Sequence, residues 1–188
     1  IGDCDSEKTG TMVTFHPDPE IFEETVFDFH TLKHRFREIA FLTKGLKIIA
    51  KDNRGEEPKE TVFHYEGGIR EFVQYLNKST TALYEEILYF EGTKDGVMVE
   101  VAMQHNDSYT ENTYGFVNNI TTPEGGTHVV GFRNALTKTF NEYARKNKLL
   151  KDSDTNLSGE DIREGLTAII SVKIEDPQFE GQTKQKLG

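Results

Sequence analysis

Apolar side chains recur along the chain with two different spacings, which predict helices and strands in turn. Over the first third, a helix is predicted from Asp28 as its N-cap to Gly45 as its C′ residue. Its apolar positions recur at helical spacing at Leu32, Phe36 and Ile39. A strand is predicted before it over residues 9–15, and a hairpin after it with strands over 46–50 and 61–65.

Beyond residue 66 the same two spacings predict a second group of elements. Glu66-Gly67-Gly68 marks a boundary, and a short amphipathic helix follows with Ile69, Phe72, Val73 and Leu76 on one side. Strands are predicted over 87–90, 97–103, 114–117 and 166–174. In the strand over 97–103, apolar residues occupy every second position, as in a half-buried strand. A long helix is predicted over 127–148 and another from Ser158.

Composition and charge narrow the class of protein. Only 35% of the 188 residues are apolar, but 13 Phe and 7 Tyr supply large side chains for a core. No apolar run approaches the roughly 20 residues needed to span a bilayer, so we expect a soluble, cytoplasmic protein. The net charge of −10 argues against a protein that coats nucleic acid, but not against DNA contact through one local basic face.

Cysteine and histidine usage predicts no metal site. Cys4 is the single cysteine, which rules out an internal disulfide framework and a multi-thiolate zinc site. His30 and His34 have the i, i+4 spacing of zinc ligands but lack an obvious third ligand. The chain starts at Ile1 without a Met and leads directly into strand-like sequence, so we expect a segment of something longer.

The long helix over 127–148 concentrates cations on one side. Arg133, Lys138, Arg145 and Lys148 project into one arc of the helix. A neighbouring arc is apolar and holds Val129, Phe132, Leu136, Phe140 and Tyr143. The cluster of cations is explained either by an ordinary solvent-exposed helix face or by a face that binds phosphate.

A loop near the C-terminus carries donors suited to a phosphate. Gly181-Gln182-Thr183-Lys184 follows a buried strand; Gln182 can donate from its amide and Lys184 offers three donors with a full charge. The spacing of a P-loop is absent, and a plain surface loop explains the same residues. From the residues alone, no complete active site is visible.

Five separated motifs occur together in one order: Thr9–Phe15, His64–Ile69, Glu124–His128, Ser158–Leu166 and Asp176–Lys184. In this order and spacing, essentially the whole chain resembles the gyrase B family of GHKL ATPases. The B subunit of topoisomerase IV is a sibling that shares most of these motifs, and the Glu-Gly-Gly-Ile run after Tyr65 favours gyrase. The resemblance implies an α+β fold: residues 1–66 as the C-terminal part of a GHKL α/β sandwich, then residues 67–188 as a transducer domain with a left-handed βαβ crossover.

The resemblance also implies an activity and a set of site residues. The family consists of ATP-dependent type II DNA topoisomerases, in which the Gln-Thr-Lys loop transmits nucleotide state to the DNA gate. Thr11 matches a residue at the adenine end of the ATP site and Val13 one on its wall, while Gln182 and the catalytic Lys184 match the loop that reaches the γ-phosphate. Arg133 matches an arginine that lines a DNA cavity. For Lys138, Arg145 and Lys148 a DNA-facing role is inferred from the helical projection.

Partners and cofactors follow from the same resemblance. They are DNA, the gyrase A subunit, a second copy of the ATPase region, and ATP with Mg²⁺ for the whole protein. The larger part of the GHKL domain precedes the matched region in the family, together with its catalytic Glu and Mg²⁺-holding Asn. We therefore expect this segment alone to be inactive, to hold no cofactor and to leave an apolar sheet face uncovered. A stand-alone binding module without an ATP role is the alternative.

Overall fold

The computed structural model describes Glu7 and residues 9–188; Cys4, near the N-terminus, lies outside the described residues. The helices are α1 Phe29–Leu42, α2 Ile69–Leu76, α3 Thr127–Lys146 and α4 Gly159–Arg163. The strands are β1 Lys47–Asp52, β2 Lys59–His64, β3 Leu88–Lys94, β4 Val97–His105, β5 Asn112–Val117, β6 Ile120–Thr121 and β7 Leu166–Lys173. The predicted α+β class is confirmed.

The helix predicted in the first third of the chain is confirmed, with a small correction at its end. The Asp28 carboxylate accepts the Thr31 N–H at 2.6 Å, as an N-cap does. At the other end Thr43 is the C-cap, so Gly45, with φ +80°, lies one residue beyond the expected C′ position. Lys44 fills C′ instead, and Gly45 makes the turn into β1.

The strand predicted over residues 9–15 is wrong, because that segment forms no strand in the structure. Its side chains are exposed, Met12 by 92% and Val13 by 77%. A strand is stabilised by a hydrogen-bonded neighbour, and β1 and β2 pair only with each other in a two-stranded antiparallel sheet. Residues 9–15 therefore have the β propensity of a strand but no neighbouring strand to pair with in the described part of the chain.

The predicted apolar sheet face is found on that two-stranded sheet only as one apolar cross-strand pair, between the Lys47–His64 and Lys51–Glu60 pairs. One face packs Ala50 and Phe63 against α1. The opposite face leaves Ile49 and Val62 about half exposed, at 49% and 48%.

The second sheet has five strands in the order β3-β4-β7-β5-β6. Strands β4 and β5 flank β7, the first antiparallel and the second parallel to it. A parallel neighbour requires a crossover, and β6, α3 and α4 lie in the connection between β5 and β7. The predicted strand over 166–174 is confirmed as β7, which is buried from its first residue to its seventh.

Helices cover both faces of this sheet. On one face, Val101, Ile170 and Val172 pack with Leu136 of α3 and Ile162 of α4. On the other face, the second cluster joins the sheet to α1 and α2 through Phe41, Leu42, Ile69, Phe72, Val73, Ala102, Phe116 and Ile169. The centre of β4 is thus buried on both faces, whereas its alternating pattern predicts burial on one.

Aromatic stacking connects α1 to α2, and Phe72 of α2 meets Phe116 of β5 at 6.1 Å. The Phe41 ring lies between those of Tyr65 and Phe72, with centroid distances of 3.7 and 4.7 Å. Stacked aromatic pairs contribute roughly 0.5–1.5 kcal/mol beyond the area they bury. The stack spans the proposed boundary near residue 66, so the two parts share one core.

A buried polar network crosses the same face of the sheet. Asn77, the C-cap of α2, donates to Gln104 Oε1 at 3.0 Å and accepts from Thr167 Oγ1 at 2.7 Å. Asn106 donates to Asn77 Oδ1 at 3.0 Å. Because buried amides are costly without partners, this network fixes α2 against β4 and β7.

We predict that Ile169→Ala destabilises the chain strongly. Ile169 is fully buried in β7, and deleting its methyl and methylene groups leaves a cavity that costs about 2–5 kcal/mol of unfolding free energy. Urea denaturation measures this loss. Val130→Ala on the exposed side of α3 is the control, expected to stay within about 0.5 kcal/mol; equal losses in both variants would contradict the packing described.

Candidate functional site

The Gln-Thr-Lys loop is the tip of a small hairpin formed by the last residues of the chain. Its two limbs are joined by backbone hydrogen bonds from Glu180 N to Lys186 O at 3.0 Å and from Gly188 N to Gln178 O at 2.9 Å. At the tip, Lys184 has a left-handed φ of +56°, and its ammonium lies 5.8 Å from the Phe179 ring centroid. Gln182 and Lys184 are both exposed, so their donors are accessible to a ligand.

The second limb of this hairpin is bound to the start of α3. Leu187 is 5% exposed and packs in the core cluster that includes Leu136. Its N–H donates to Gly125 O at 3.1 Å, and its carbonyl accepts the N–H of Thr127 at 3.2 Å. These bonds occupy backbone groups at the N-terminus of α3 that would otherwise need another partner.

Glycine at position 126 is what permits this close approach. Gly126 has φ +135°, and a Cβ atom there would lie 2.6 Å from the backbone N and 2.8 Å from the Cα of Leu187. Only glycine satisfies both the conformation and the contact. The Gly-Gly of the motif over 124–128 therefore has a structural reason in this chain.

His128 supports the same helix end from the other side. Its Nε2 lies 3.1 Å from Thr122 Oγ1, over the backbone of Gly115, where a Cβ would lie 2.5 Å from the ring. Burial lowers the pKa of His128, which favours the neutral imidazole. The start of α3 is thus held by the sheet as well as by the hairpin.

Arg133, between one and two turns into α3, is paired with a carboxylate. Glu111 Oε1 accepts from Arg133 Nε at 2.8 Å and lies 2.7 Å from Arg133 Nη2. The other oxygen, Oε2, accepts from Arg163 Nε of α4 at 3.0 Å. Burial alone would raise the pKa of Glu111, but hydrogen bonds from Thr113, Arg163 and Arg133 hold it below its usual range.

The three other predicted DNA-facing cations have different surroundings. Arg145 donates to the carbonyls of Lys151 and Asp154 and to Asn156 Oδ1, so its guanidinium holds the loop after α3. Lys138 is 75% exposed and lies 3.7 Å from Glu142. Lys148 is beyond the end of α3, with φ +58°, and does not continue the helical arc.

The predicted apolar arc of α3 is confirmed only over its first half. Val129 and Leu136 are buried, but Phe140 is 37% and Tyr143 62% exposed. In the second half the helix faces the loop before α4 through a polar contact instead: Asn141 donates to Leu157 O at 3.0 Å and accepts from Leu157 N at 2.8 Å.

A groove of about 610 Å³ runs between α3 and α4. Its lining includes Lys138, Arg145 and Arg163 together with Glu142. Lys138 lies near Glu142 and Arg163 is paired with Glu111, so these two cations are partly neutralised within the chain.

The two halves of the predicted ATP site are found on different segments. Thr11 and Val13 lie on the exposed N-terminal segment, where Phe15 packs edge-on against Phe27 at 6.0 Å. Gln182 and Lys184 lie on the hairpin against α3. A second cleft, of about 830 Å³, lies between α1 and the five-stranded sheet. None of these four residues lines this cleft or the groove along α3.

Two further findings concern the described part of the chain. Within residues 9–188 and Glu7, no group of three His, Cys, Asp or Glu side chains is placed to hold a metal ion. In the same residues, no helix has the length and apolarity that crossing a membrane requires.

Sequence patterns missed Glu111 and Leu187. Glu111 meets Arg133 and Arg163 across 22 and 52 residues of sequence, a separation that no local spacing encodes. Leu187 is an isolated apolar residue after a polar loop, and this was the only feature of the sequence that could have indicated its burial.

Comparison with known proteins places this geometry in a family. The DNA gyrase B family profile matches residues 68–188. The B subunit of DNA gyrase from Bacillus cereus is 57% identical over 189 residues, all of this chain and 46% of that protein. The B subunit of DNA topoisomerase 4 from Enterococcus faecalis is 55% identical over 184 residues, 97% of this chain and 27% of that protein.

A solved structure gives the same result for the fold. The 43K ATPase domain of Thermus thermophilus gyrase B, determined in complex with an aminocoumarin, superposes with a TM-score of 0.77 at 39% identity, covering 91% of this chain and 45% of the solved one. The fold is therefore that of part of a GHKL-type ATPase region. The chain belongs to the DNA gyrase B family, and it spans less than half the length of these relatives.

We predict that Gly126→Ala releases the hairpin from α3. The added Cβ collides with the Leu187 backbone, and alanine at position 126 would have to keep a φ that L-residues avoid. Such a backbone conformation costs about 1–3 kcal/mol. Amide hydrogen exchange over residues 178–188 should therefore become roughly tenfold faster. Gly131→Ala, where a Cβ meets nothing within 4 Å, is the matched control and should leave hairpin exchange unchanged; unaltered exchange in Gly126→Ala would refute the docking.

Proposed function

We propose that this chain is the segment of an ATP-driven type II DNA topoisomerase that transmits nucleotide state from the ATP site to DNA. Gln182 and Lys184 contact the γ-phosphate from the hairpin tip, with Lys184 acting on the transferred group, and Thr11 and Val13 belong to the adenine end of the site. Arg133 and Lys138 face DNA from α3. The chain alone is inactive, because residues elsewhere in the whole protein complete the ATP site and hold Mg²⁺.

One observation carries this proposal: the hairpin with Lys184 is hydrogen-bonded, through Leu187, to the first turn of the helix with Arg133. A group that contacts only the γ-phosphate loses that contact after hydrolysis. Any resulting movement of the hairpin acts directly on the N-terminal end of α3. A short chain of covalent bonds and hydrogen bonds thus connects the proposed nucleotide contact at Lys184 to the proposed DNA contact at Arg133.

The exposed surfaces support an assembly larger than this chain. The exposed Ile49–Val62 pair of β1 and β2 offers a small apolar contact to the remainder of a GHKL domain, and the Lys51–Glu60 ion pair beside it offers a polar one. In this proposal residues 1–66 complete that domain and residues 67–188 form the transducer. The whole subunit acts in the cytoplasm as a dimer of ATPase regions with the gyrase A subunit and DNA.

The equivalent role in topoisomerase IV is a second candidate, favoured by the 55% identity to the Enterococcus faecalis protein. The complete subunit reconstituted with each type of A subunit decides between the two. ATP-dependent negative supercoiling of relaxed plasmid supports gyrase, whereas decatenation without supercoiling supports topoisomerase IV. Absence of any ATP-dependent strand passage with either partner would reject the proposed function.

We predict that Lys184→Ala in the complete subunit reduces ATP hydrolysis far more than ADP binding. Lysine is a flexible point charge, and ADP lacks the phosphate that it contacts. A charge-assisted hydrogen bond strengthened in the transition state corresponds to about one to two powers of ten in turnover. Steady-state ATP turnover and calorimetric ADP titration measure the two quantities.

Gln182→Ala is the companion variant, expected to act in the same direction but less, because the amide is neutral. Lys186→Ala, two residues from Lys184 and paired with Glu180 at 3.0 Å, is the control for charge loss on the hairpin. Equal losses of turnover and ADP affinity in Lys184→Ala would show that this lysine holds the fold or the whole nucleotide.

We predict that Arg133→Gln in the complete subunit uncouples ATP turnover from DNA. The substitution removes one cation from α3, while Arg163 still pairs with Glu111, so the fold should persist. ATP turnover without DNA should stay nearly unchanged, and the stimulation by duplex DNA should fall. Stimulation equal to that of the parent would reject the DNA-facing assignment.

A further inference from the structure

The Glu111 carboxylate joins three elements of the transducer part. It directly precedes β5 and contacts Arg133 of α3 and Arg163 of α4, one through each oxygen. Thr113 Oγ1 also donates to Oε1, at 2.7 Å. The cluster therefore contains two positive charges and one negative charge.

The two arginines differ in access to solvent. The Arg133 side chain is 39% exposed, whereas that of Arg163 is 16% exposed and that of Glu111 is 24% exposed. Arg163 is thus the less exposed partner of Glu111, and Arg133 the more exposed one. A macromolecule that approaches α3 reaches Arg133 first.

Glu111 occupies one of the two edges of the Arg133 guanidinium that can bind a phosphate. Its Oε1 contacts both Nε and Nη2, the pair of donors that forms parallel hydrogen bonds with carboxylates and phosphates. A DNA phosphate and Glu111 cannot both take these two donors. Binding at this edge therefore requires an exchange of one anion for another.

The exchange leaves Glu111 with partners. When Arg133 turns to a phosphate, Arg163 still binds Oε2 and Thr113 still donates to Oε1. A partly buried carboxylate that lost its only cation would be costly, but the second arginine avoids that cost. The arrangement thus has two satisfied states that differ in the partner of Arg133.

We propose that Glu111 is a positioning residue that competes with DNA phosphate for Arg133 and so weakens DNA binding at α3. The inference rests on the proposed function, because it takes duplex DNA as the ligand of this helix. In the absence of DNA, Glu111 holds the guanidinium against β5. On the duplex, Arg133 exchanges this carboxylate for a backbone phosphate.

Glu111→Gln in the complete subunit tests the proposal. The amide keeps an acceptor for one arginine but removes the competing charge. We expect the dissociation constant for a fluorescently labelled duplex to fall about two- to fivefold, the range for a partly exposed ion pair. The slope of log affinity against log salt concentration should stay nearly unchanged, because Arg133 pairs with phosphate in both complexes.

Two controls separate competition from a general effect of charge or stability. Glu160→Gln removes the same charge from the exposed first turn of α4 and should leave affinity nearly unchanged. In the Arg133→Gln background, Glu111→Gln should no longer tighten binding. Should Glu111→Gln fail to fold, Glu111→Asp keeps the charge on a shorter side chain and should still tighten binding, by a smaller factor.

Several outcomes would overturn the proposal: weaker binding in Glu111→Gln, a gain matched by Glu160→Gln, or a gain that persists without Arg133. Each leaves the proposed function standing if Arg133→Gln still reduces DNA stimulation of ATP turnover. If Arg133→Gln alters neither DNA binding nor that stimulation, the DNA-facing role of α3 fails and the competition by Glu111 fails with it.

Discussion

The burial of β7 on both faces and both edges is the constraint on which the rest of the fold depends. Because β7 has β4 antiparallel on one side and β5 parallel on the other, the chain must cross over between β5 and β7. That crossover is α3 and α4, which cover one face, while α1 and α2 cover the other. Burial of β7 therefore requires cover from helices on both faces, and α1 reaches this sheet through Phe41 and Leu42 while its other contacts are with β1 and β2.

The same crossover brings the candidate functional groups to one helix. The hairpin with Lys184 docks on the first turn of α3, Arg133 lies in the turn that follows, and Arg145 near its other end holds the loop that leads to α4. A rigid helix carries displacement along its length better than a loop does. Its position against the sheet is secured by Leu136, and Asn141 binds it to the loop before α4.

Local patterns predicted most elements, because their causes are local. The Asp28 cap, the amphipathic α2 and the apolar β7 each follow from spacing within a few residues. The segment over residues 9–15 had the right propensity without a pairing strand, and Phe140 and Tyr143 stayed exposed because polar contacts at Asn141 replaced apolar ones. The resemblance supplied the proposed roles of Lys184 and Arg133, whereas the contacts of Glu111 and Leu187 depend on tertiary structure alone.

The buried network of Asn77, Gln104, Asn106 and Thr167 has a consequence for how the sheet assembles. Gln104 lies opposite Thr167 in the β4–β7 register. A slip of one residue would turn Thr167 to the opposite face of the sheet and leave the Asn77 and Asn106 amides without this partner in a dry interior. Because β7 is buried on both faces, its apolar side chains distinguish the two faces less sharply than these hydrogen-bonded amides do. These four polar side chains therefore favour the observed alignment of β4 with β7 over one shifted by a single residue.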